Sequence, residues 1–528
     1  MRAALLLSSG TTVRAWEFNA LKTAIDCGLQ ITTVLHCTNG RKPPNKSGGQ
    51  AYHALEYLTR TRMPMARPAN VSELIPEGVD VIRCEPEWTG SGHRIPDAVS
   101  AQIPEVDVAI NFGMDHLLNP EEIPATHGVL AYRHGDPEKR RGNPAGFYEL
   151  KAGEHVMGVI VQRLATAPDG GEVLAKGYSR VIATSYRRTL DEAYAVGAPL
   201  LAKALTAAKS GCSLPLEHFD PSHSLPSNRE VLSAVRGMAS AFIGRLVYGA
   251  LCEKRWKVAF VPKSFDPENV VIPAAEEFGT ISVPEGYSFA ADPAGESQGT
   301  LFCEVLNART GKGQIAIFDG KTWLPVDLPV AGGHLSYPQI VKHAGVTYLF
   351  PEMAQVGPPT LFELDEETFR FEATHPLRGL ETERLIDGTL FEHEEHWYLF
   401  AGRPASGNVR LDLWVADDLT GPWRQHPFSP ICLDPRNARM AGPIVRKDGR
   451  IYRLGQDGSV GYGQGIVVSR VEELTPTTYS EVVVGPFCLQ DVTGPHTVLP
   501  TGNGYWLDYY TEKWTPLAGV RRLTALVK

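Results

Sequence analysis

The second half of this chain repeats itself, and a repeat of near-constant length restricts the possible folds more than any other property of the sequence. The segments LFCE at 301, LFPE at 349, LFAG at 399, RLGQ at 453 and WLDY at 506 follow one another at steps of 48, 50, 54 and 53 residues. A second series runs in the same phase one strand earlier, with ADP at 291, SYP at 336, IDG at 386, AGP at 441 and GPHT at 494. Each period joins a polar turn to a strand-like apolar run. A single such unit cannot bury its own apolar faces, so neighbours must stack. Five units of about 50 residues read as a five-bladed β-propeller of four-stranded blades, an all-β domain. Strand material near residues 257 to 285 is expected to close the fifth blade.

In a propeller the first strands line the central channel, so the recurring first-strand position points at a common mouth. That position carries Asp292, Tyr337, Asp387, Gly442 and His496. Glu304 and Glu352 end the second strands of the first two blades, and His334, Arg439, Gln456 and Asp457 lie in equivalent neighbourhoods. Several carboxylates around one axis suit sugar chemistry, where one acts as acid and another as base or nucleophile. The same residues also serve plain structural ends, because DP and DG are turn dipeptides and buried Asp or His often satisfies backbone groups. Trp397, Trp414, Trp423 and Trp506 fall at periodic places and read as blade core.

The first third has a different rhythm. Strand-like runs RAALLLSS, ITTVLHC, VDVIRCE and VDVAINFG alternate with helix-like RAWEFNALKTAIDCG and GGQAYHALEYLTRTR, the pattern of an open parallel, Rossmann-like α/β sheet. SSGTT after the first strand lacks the GxGxxG spacing and the Walker lysine, so it reads as a turn rather than a nucleotide cradle. NFGMDHLL places Phe112 and Gly113 at the carboxyl edge of a strand, where such sheets bind ligands. Further on, residues 128–171 set His134 in a Gly- and Pro-punctuated basic loop and close on Asp169. An imidazole with a carboxylate to fix its tautomer is what acyl transfer to an amine needs.

The expected organisation is an α/β domain over 1–208, a helical connector over 209–256 and the propeller over 257–528. Within the connector, NREVLSAVRGMASAFIGRLVYGALCEKRW begins at an N-cap on Ser227 or Asn228 and reads as a packed inter-domain helix rather than a membrane segment. The formal charge of -9 is spread without a long run and leaves no footprint for nucleic acid or an anionic membrane. Eight scattered cysteines with no CxxC spacing point to reduced thiols and no zinc site. The opening MRAALLLSSG is too short for a signal peptide, so the expectation is a cytoplasmic protein with no membrane insertion.

Two resemblances sharpen this reading. A strand ending INFG, the loop around His134 ending RRG, the strand GVIVQRL and then DGGEVL together resemble the catalytic domain of the folate-dependent formyltransferases. Their loop reads NxHPSLLPxYRG, and their later carboxylate stands in LDxGDI. His134 matches the histidine, Arg141-Gly142 the RG and Asp169 the aspartate, while Tyr132 occupies the asparagine position. The resemblance implies N10-formyltetrahydrofolate as donor, held near Phe112, Gly113, Met114 and Leu164. It also implies an amine acceptor, with Tyr132, backed by Arg133 and Asn143, as the replacement oxyanion donor.

The phrases YSFAADP, HLSYPQI, LFPE, DGTLF, LDLWVADDLTGPWRQHP, NARMAGPI and YRLGQD resemble the five-bladed domain of glucosamine inositolphosphorylceramide transferases, and distantly the furanosidase-type glycoside hydrolases. By that analogy Asp292, Glu352 and Asp387 are candidate acid, base and modulator. Three functions stay open: formyl transfer to an amino sugar that the propeller binds or processes; a glycosidase or glycosyltransferase propeller with a degenerate formyltransferase-like scaffold; and a carbohydrate-binding protein without turnover.

Overall fold

Five consecutive apolar residues, Ala3 to Leu7, leave almost no surface exposed, as expected for a strand in the middle of a sheet covered on both faces. In the computed structural model this strand, β1 (Arg2–Leu7), is central to an eight-stranded sheet. The structure describes all residues except 9, 39–48, 91, 115, 137–143, 166–170, 212, 216–224, 296–299, 331, 366–367 and 521–528. Two compact units divide the chain, Met1–Ile243 and Gly244–Lys528.

In the first unit, the other strands are β2 (Gln30–Cys37), β3 (Asp80–Cys84), β4 (Val108–Asn111), β5 (Val129–Arg133), β6 (Val156–Leu164), β7 (Gly171–Arg180) and β8 (Leu214–Pro215). Their spatial order is β8-β7-β6-β5-β4-β1-β2-β3. The first five run parallel, and β6 to β8 add on antiparallel. The sheet is thus mixed and mostly parallel, because the β6–β7 hairpin needs only a short connection where a parallel strand needs a crossover. Helices α1 (Ala15–Asp26), α2 (Gln50–Arg60), α3 (Phe147–Ala152), α4 (Tyr186–Gly197) and α5 (Leu200–Ser210) accompany it. α4 ends where Pro199 follows, since proline removes the amide that would continue the turn.

Helix α6 (Asn228–Leu251) corrects one expectation. It starts on a capping box in which Ser227 Oγ accepts from the Glu230 amide and Glu230 accepts from the Ser227 amide. Val231 and Ala234 are its buried side chains. Leu232, Val235, Phe242, Ile243, Leu246 and Val247 are exposed, so most of the apolar stripe expected to be packed is open.

The second unit is a five-bladed propeller. Blade one is Tyr287–Gly295, Leu301–Asn307, Gly313–Phe318 and Trp323–Pro325; blade two is Ser336–His343, Val346–Glu352, Thr360–Leu364 and Phe371–Pro376. Blade three is Ile386–His393, His396–Gly402, Asp412–Ala416 and Arg424–Gln425. In blade four the inner strand is split into Arg439–Met440 and Val445–Lys447, ahead of Arg450–Gln456, Ile466–Leu474 and Tyr479–Phe487. Blade five combines Val498–Thr501 and Gly504–Trp514 with Cys252–Val261 and Gly279–Thr280 from the start of the unit. The ring therefore closes by ten paired positions, from Cys252 opposite Trp514 to Val261 opposite Tyr505.

Apolar side chains fill all five seams between successive blades. Phe302 and Ile317 meet Leu349 and Phe362; Phe350 and Leu361 meet Leu399 and Trp414; Phe400 and Leu413 meet Met440 and Val471. Leu454 and Val468 meet Ala259 and Leu507, and Val258 with Leu499 meets Leu301 and Val305. Trp397, Trp414 and Trp423 are buried in this packing.

Candidate functional site

The inner strands of blades one, two and three each carry the same irregularity. Their register slips between Ala291 and Ala294, Ser336 and Gln339, and Ile386 and Thr389. Inside each slip sits one residue in the left-handed region, Asp292 (φ 50°), Tyr337 (φ 42°) or Asp387 (φ 48°), and Gly442 (φ 123°) stands at the matching place in blade four. A bulge of this kind re-aims a side chain, and its repetition brings the four positions to one centre. The Tyr337 phenol bonds the Gly442 amide and carbonyl and the Thr389 hydroxyl, which ties three blades together.

Two connected clusters result. In the first, His496 lies between two carboxylates, Nε2 at 3.1 Å from Asp292 Oδ1 and Nδ1 at 2.8 Å from Asp508 Oδ2. Asp292 also accepts from the Thr497 hydroxyl and the Tyr337 amide, and Asp508 from the amides of Asp292, His496 and Thr497. Burial alone would push the His496 pKa down, but Asp508 and Asp292 outweigh it and push it up to about 10. Burial likewise opposes ionisation of Asp292, yet His496 and Thr497 hold it down at about 2. Ligand atoms of Asp292, His496 and Asp508 lie within 4.8 Å of one another, so a cation bound there would have to displace the imidazole proton. Glu304 is buried beside Asp292, and both burial and that neighbour push its pKa well above the usual carboxylate range. His334 Nδ1 accepts from the Gly313 amide, leaving its Nε2 at 3.6 Å from Glu304.

In the second cluster Arg439 grips Asp387 through Nε and its terminal nitrogen, and Gln456 Nε2 adds a bond to Asp387 Oδ2 at 3.1 Å. Glu352 accepts from the Asp387 amide. Burial, then the Asp387 charge and hydrogen bond, push the Glu352 pKa up to about 8 against the opposing pull of Arg439. Unlike Asp292 and Asp387, Glu352 is only half-buried. Tyr462, 44% exposed, lies under the Arg439 guanidinium at 5.2 Å and 5.1 Å from the His496 ring. The Trp256 ring lies 4.3 Å from the same imidazole and meets the Tyr462 ring edge-on at 5.9 Å. The axis thus brings together a carboxyl whose pKa is raised, a guanidinium and a partly exposed aromatic ring, beside the buried Asp292–His496–Asp508 cluster. Asp457 stands apart, because its carboxylate closes a local turn onto Ser459.

The sequence signals bring Asp292, Glu304, His334, Glu352, Asp387, Arg439, Gln456 and His496 together. They miss Asp508, Tyr462 and Trp256. The signal for Asp508 was available, since a lone aspartate inside YWLDYY must find partners once buried.

In the first unit, His134 follows β5 and lies against three mutually packed rings: Trp16 of α1 at 5.2 Å, Tyr194 of α4 at 4.7 Å and Tyr132 of β5 at 6.3 Å. Its Nε2 is buried without a hydrogen-bond partner, and burial, with Arg14 nearby, pushes its pKa down to about 3. Tyr132 donates its hydroxyl to the Gly197 carbonyl at 3.1 Å. Phe112 and Met114 are buried, and the Asn111 side chain accepts from the amides of Gly113 and Met114 to fix that turn. Gly113 lies so close to β1 that a Cβ would sit 3.0 Å from the Leu7 carbonyl carbon. Leu164 ends β6 and packs on the sheet core. Asp169, Asn143 and Arg141 lie outside the described residues.

The geometry defines the second unit as a five-bladed propeller with a carboxylate-rich axial site. Residues 274–496, most of that propeller, match the family model described as glucosamine inositolphosphorylceramide transferase 1, N-terminal. Among curated proteins, glucosamine inositolphosphorylceramide transferase 1 of Arabidopsis thaliana is 32% identical over 218 residues, which cover 38% of this chain and 28% of that protein. The protein of the same name from Oryza sativa subsp. japonica is 32% identical over 231 residues, covering 40% and 30%. The matched region is thus less than a third of either relative's length. Of solved structures, an α-L-arabinofuranosidase from Podospora anserina in complex with cellotriose aligns over 49% of this chain and 98% of its own at 13% identity, with a TM-score of 0.34; a likeness of that size carries no argument.

Proposed function

We propose that the propeller is the catalytic part of this protein and transfers a glycosyl group, with Glu352 as the proton donor to the departing oxygen. The relatives' name directs the choice of substrate to a glucosamine-bearing inositol phospholipid or its headgroup. The observation that carries the reading is Glu352 itself, a half-buried carboxyl with its pKa pushed up to about 8 beside the Asp387–Arg439 pair. A carboxylic acid that stays protonated at neutral pH next to ionised groups is how one site supplies both an acid and fixed charge. As the anomeric C–O bond breaks, the Glu352 proton passes to the leaving oxygen, which keeps the bonding pair, while an acceptor hydroxyl (water in hydrolysis) bonds the anomeric carbon and loses its proton to solvent. Arg439 and Tyr462 are placed to hold sugar hydroxyls and a ring face.

The first unit fits a scaffold in this reading. Formyl transfer from N10-formyltetrahydrofolate needs a donor aimed at the developing oxyanion. The Tyr132 hydroxyl is committed to Gly197 and the His134 Nε2 is buried, so the described residues do not fit that group. Spectroscopic binding of a folate that is lost in Phe112→Ala would restore the formyltransferase reading.

The test is sugar release or transfer from a glucosaminyl inositol phosphate by the full chain and by Glu352→Gln. Turnover is expected to fall on the order of 10²–10⁴ with folding unchanged, the usual worth of a general acid. Near-normal turnover in Glu352→Gln would remove Glu352 from the chemistry.

A further inference from the structure

We infer that helix α6 and the segment around Trp514 form a docking face for an anionic phospholipid bilayer. The inference does not rest on the catalytic reading. Within the second unit, Leu246, Val247 and Leu251 of α6 stand beside Trp514, Leu517 and Val520, and these side chains are 37–60% exposed. They form one surface, since the Thr515 amide bonds the Leu251 carbonyl at 2.7 Å and the Trp514 ring meets Tyr248 edge-on at 6.2 Å. The same apolar spacing runs upstream in the sequence of α6 through Leu232, Val235, Ala239 and Phe242, which belong to the first unit. So much contiguous apolar surface with no covering element among the described residues marks an interaction site.

Charge selects the partner. Arg245 and Lys513, next in the chain to Leu246 and Trp514, are exposed, as is Arg255 on the strand paired with that of Lys513, and the adjacent Glu512 accepts a bond from Tyr248. Arg229, Arg236 and Arg245 outnumber Glu230 on the helix, and Glu230 is paired with Lys151. Cations flanking an apolar face, with a tryptophan at its end, suit the boundary between lipid headgroups and acyl chains. A second copy fits less well, because pairing two such helices along the Leu232–Leu246 seam would set Arg236 and Arg245 against like charges. The helix lies in the surface plane rather than crossing it, since Arg236 near its middle would otherwise sit deep in hydrocarbon.

The experiment is flotation of the full chain with vesicles of phosphatidylcholine alone and with phosphatidylserine added at about one part in three. Flotation is expected with the mixed vesicles, weakened by salt. It should drop roughly tenfold in Leu246→Ser/Val247→Ser and in Trp514→Ala, and several-fold in Arg245→Gln/Lys513→Gln. All these side chains are exposed, so thermal unfolding of the variants should match the parent. Failure to float with either vesicle overturns the proposal. So does sedimentation of the lipid-free protein as a dimer that Leu246→Ser/Val247→Ser converts to monomer, which would make a second copy the occupant. Loss of glycosyl transfer in Glu352→Gln leaves flotation unchanged, so the two readings fail separately.

Discussion

Glu352 owes its proton to its neighbours, and that makes its role measurable. Burial and Asp387 raise its pKa while Arg439 lowers it. A general acid works only when protonated, so activity should fall as pH rises through about 8. Asp387→Asn removes the negative neighbour and is expected to move that alkaline limb down, whereas Arg439→Gln removes the positive one and should move it up. A pH–rate profile in which both variants keep the parent's limb would show that another group titrates there. These residues were legible from phase alone, because a repeat of about 50 residues marks equivalent positions before any contact is known. Their roles were not legible. Asp292 looked like an acid or base, but its oxygens are consumed by His496, Thr497 and the Tyr337 amide, contacts drawn from blades far apart in sequence. The His134 motif shows the converse, since its spacing was visible while its packing against Trp16 and Tyr194, from helices on either side in the chain, was not.

At the scale of elements, the Asp292–His496–Asp508 cluster works as a latch between the first and fifth blades. His496 is raised above its ordinary value of 6.5 to about 10, so its contribution to stability is whole below 6.5 and fades as pH rises toward 10. Asp292 is depressed from 3.8 to about 2, so its contribution is whole above 3.8 and is lost as pH falls toward 2. Together they predict that the propeller's thermal unfolding midpoint is highest between roughly pH 4 and 6.5. In His496→Gln the alkaline decline should flatten, and because one partner of a buried ion pair is gone, stability should drop by about 3–5 kcal/mol. A parent profile level from pH 6 to 10 would show that the latch is not charged. The blades themselves followed from sequence because each period carries its own strand pattern. The exposure of α6 did not, since an apolar stripe in a sequence signals that a face will be covered without saying by what.

For the whole molecule, the ring closes with a strand that lies outside the region matched to the transferase family. That match begins at residue 274, yet Cys252–Val261 is the third strand of blade five and pairs along its length with Gly504–Trp514. The sequence pattern places closing material near 257 to 285, and the strands that close the ring are Cys252–Val261 and Gly279–Thr280. A chain starting at 274 therefore leaves Gly504–Trp514 with an open edge and uncovers Leu454, Tyr505 and Leu507, which pack against Ala259 and Val261. It should aggregate or melt well below the full protein, as exposed edges and lost core contacts both predict. A chain starting at Gly244, the first residue of the second unit, keeps the closing strand and should unfold cooperatively with the parent's propeller midpoint. Calorimetry of the two truncations side by side decides the matter: equal midpoints would mean that the ring holds without Cys252–Val261, and that the latch at Asp292, His496 and Asp508, with Leu499 against Leu301 and Val305, suffices to join the first blade to the last.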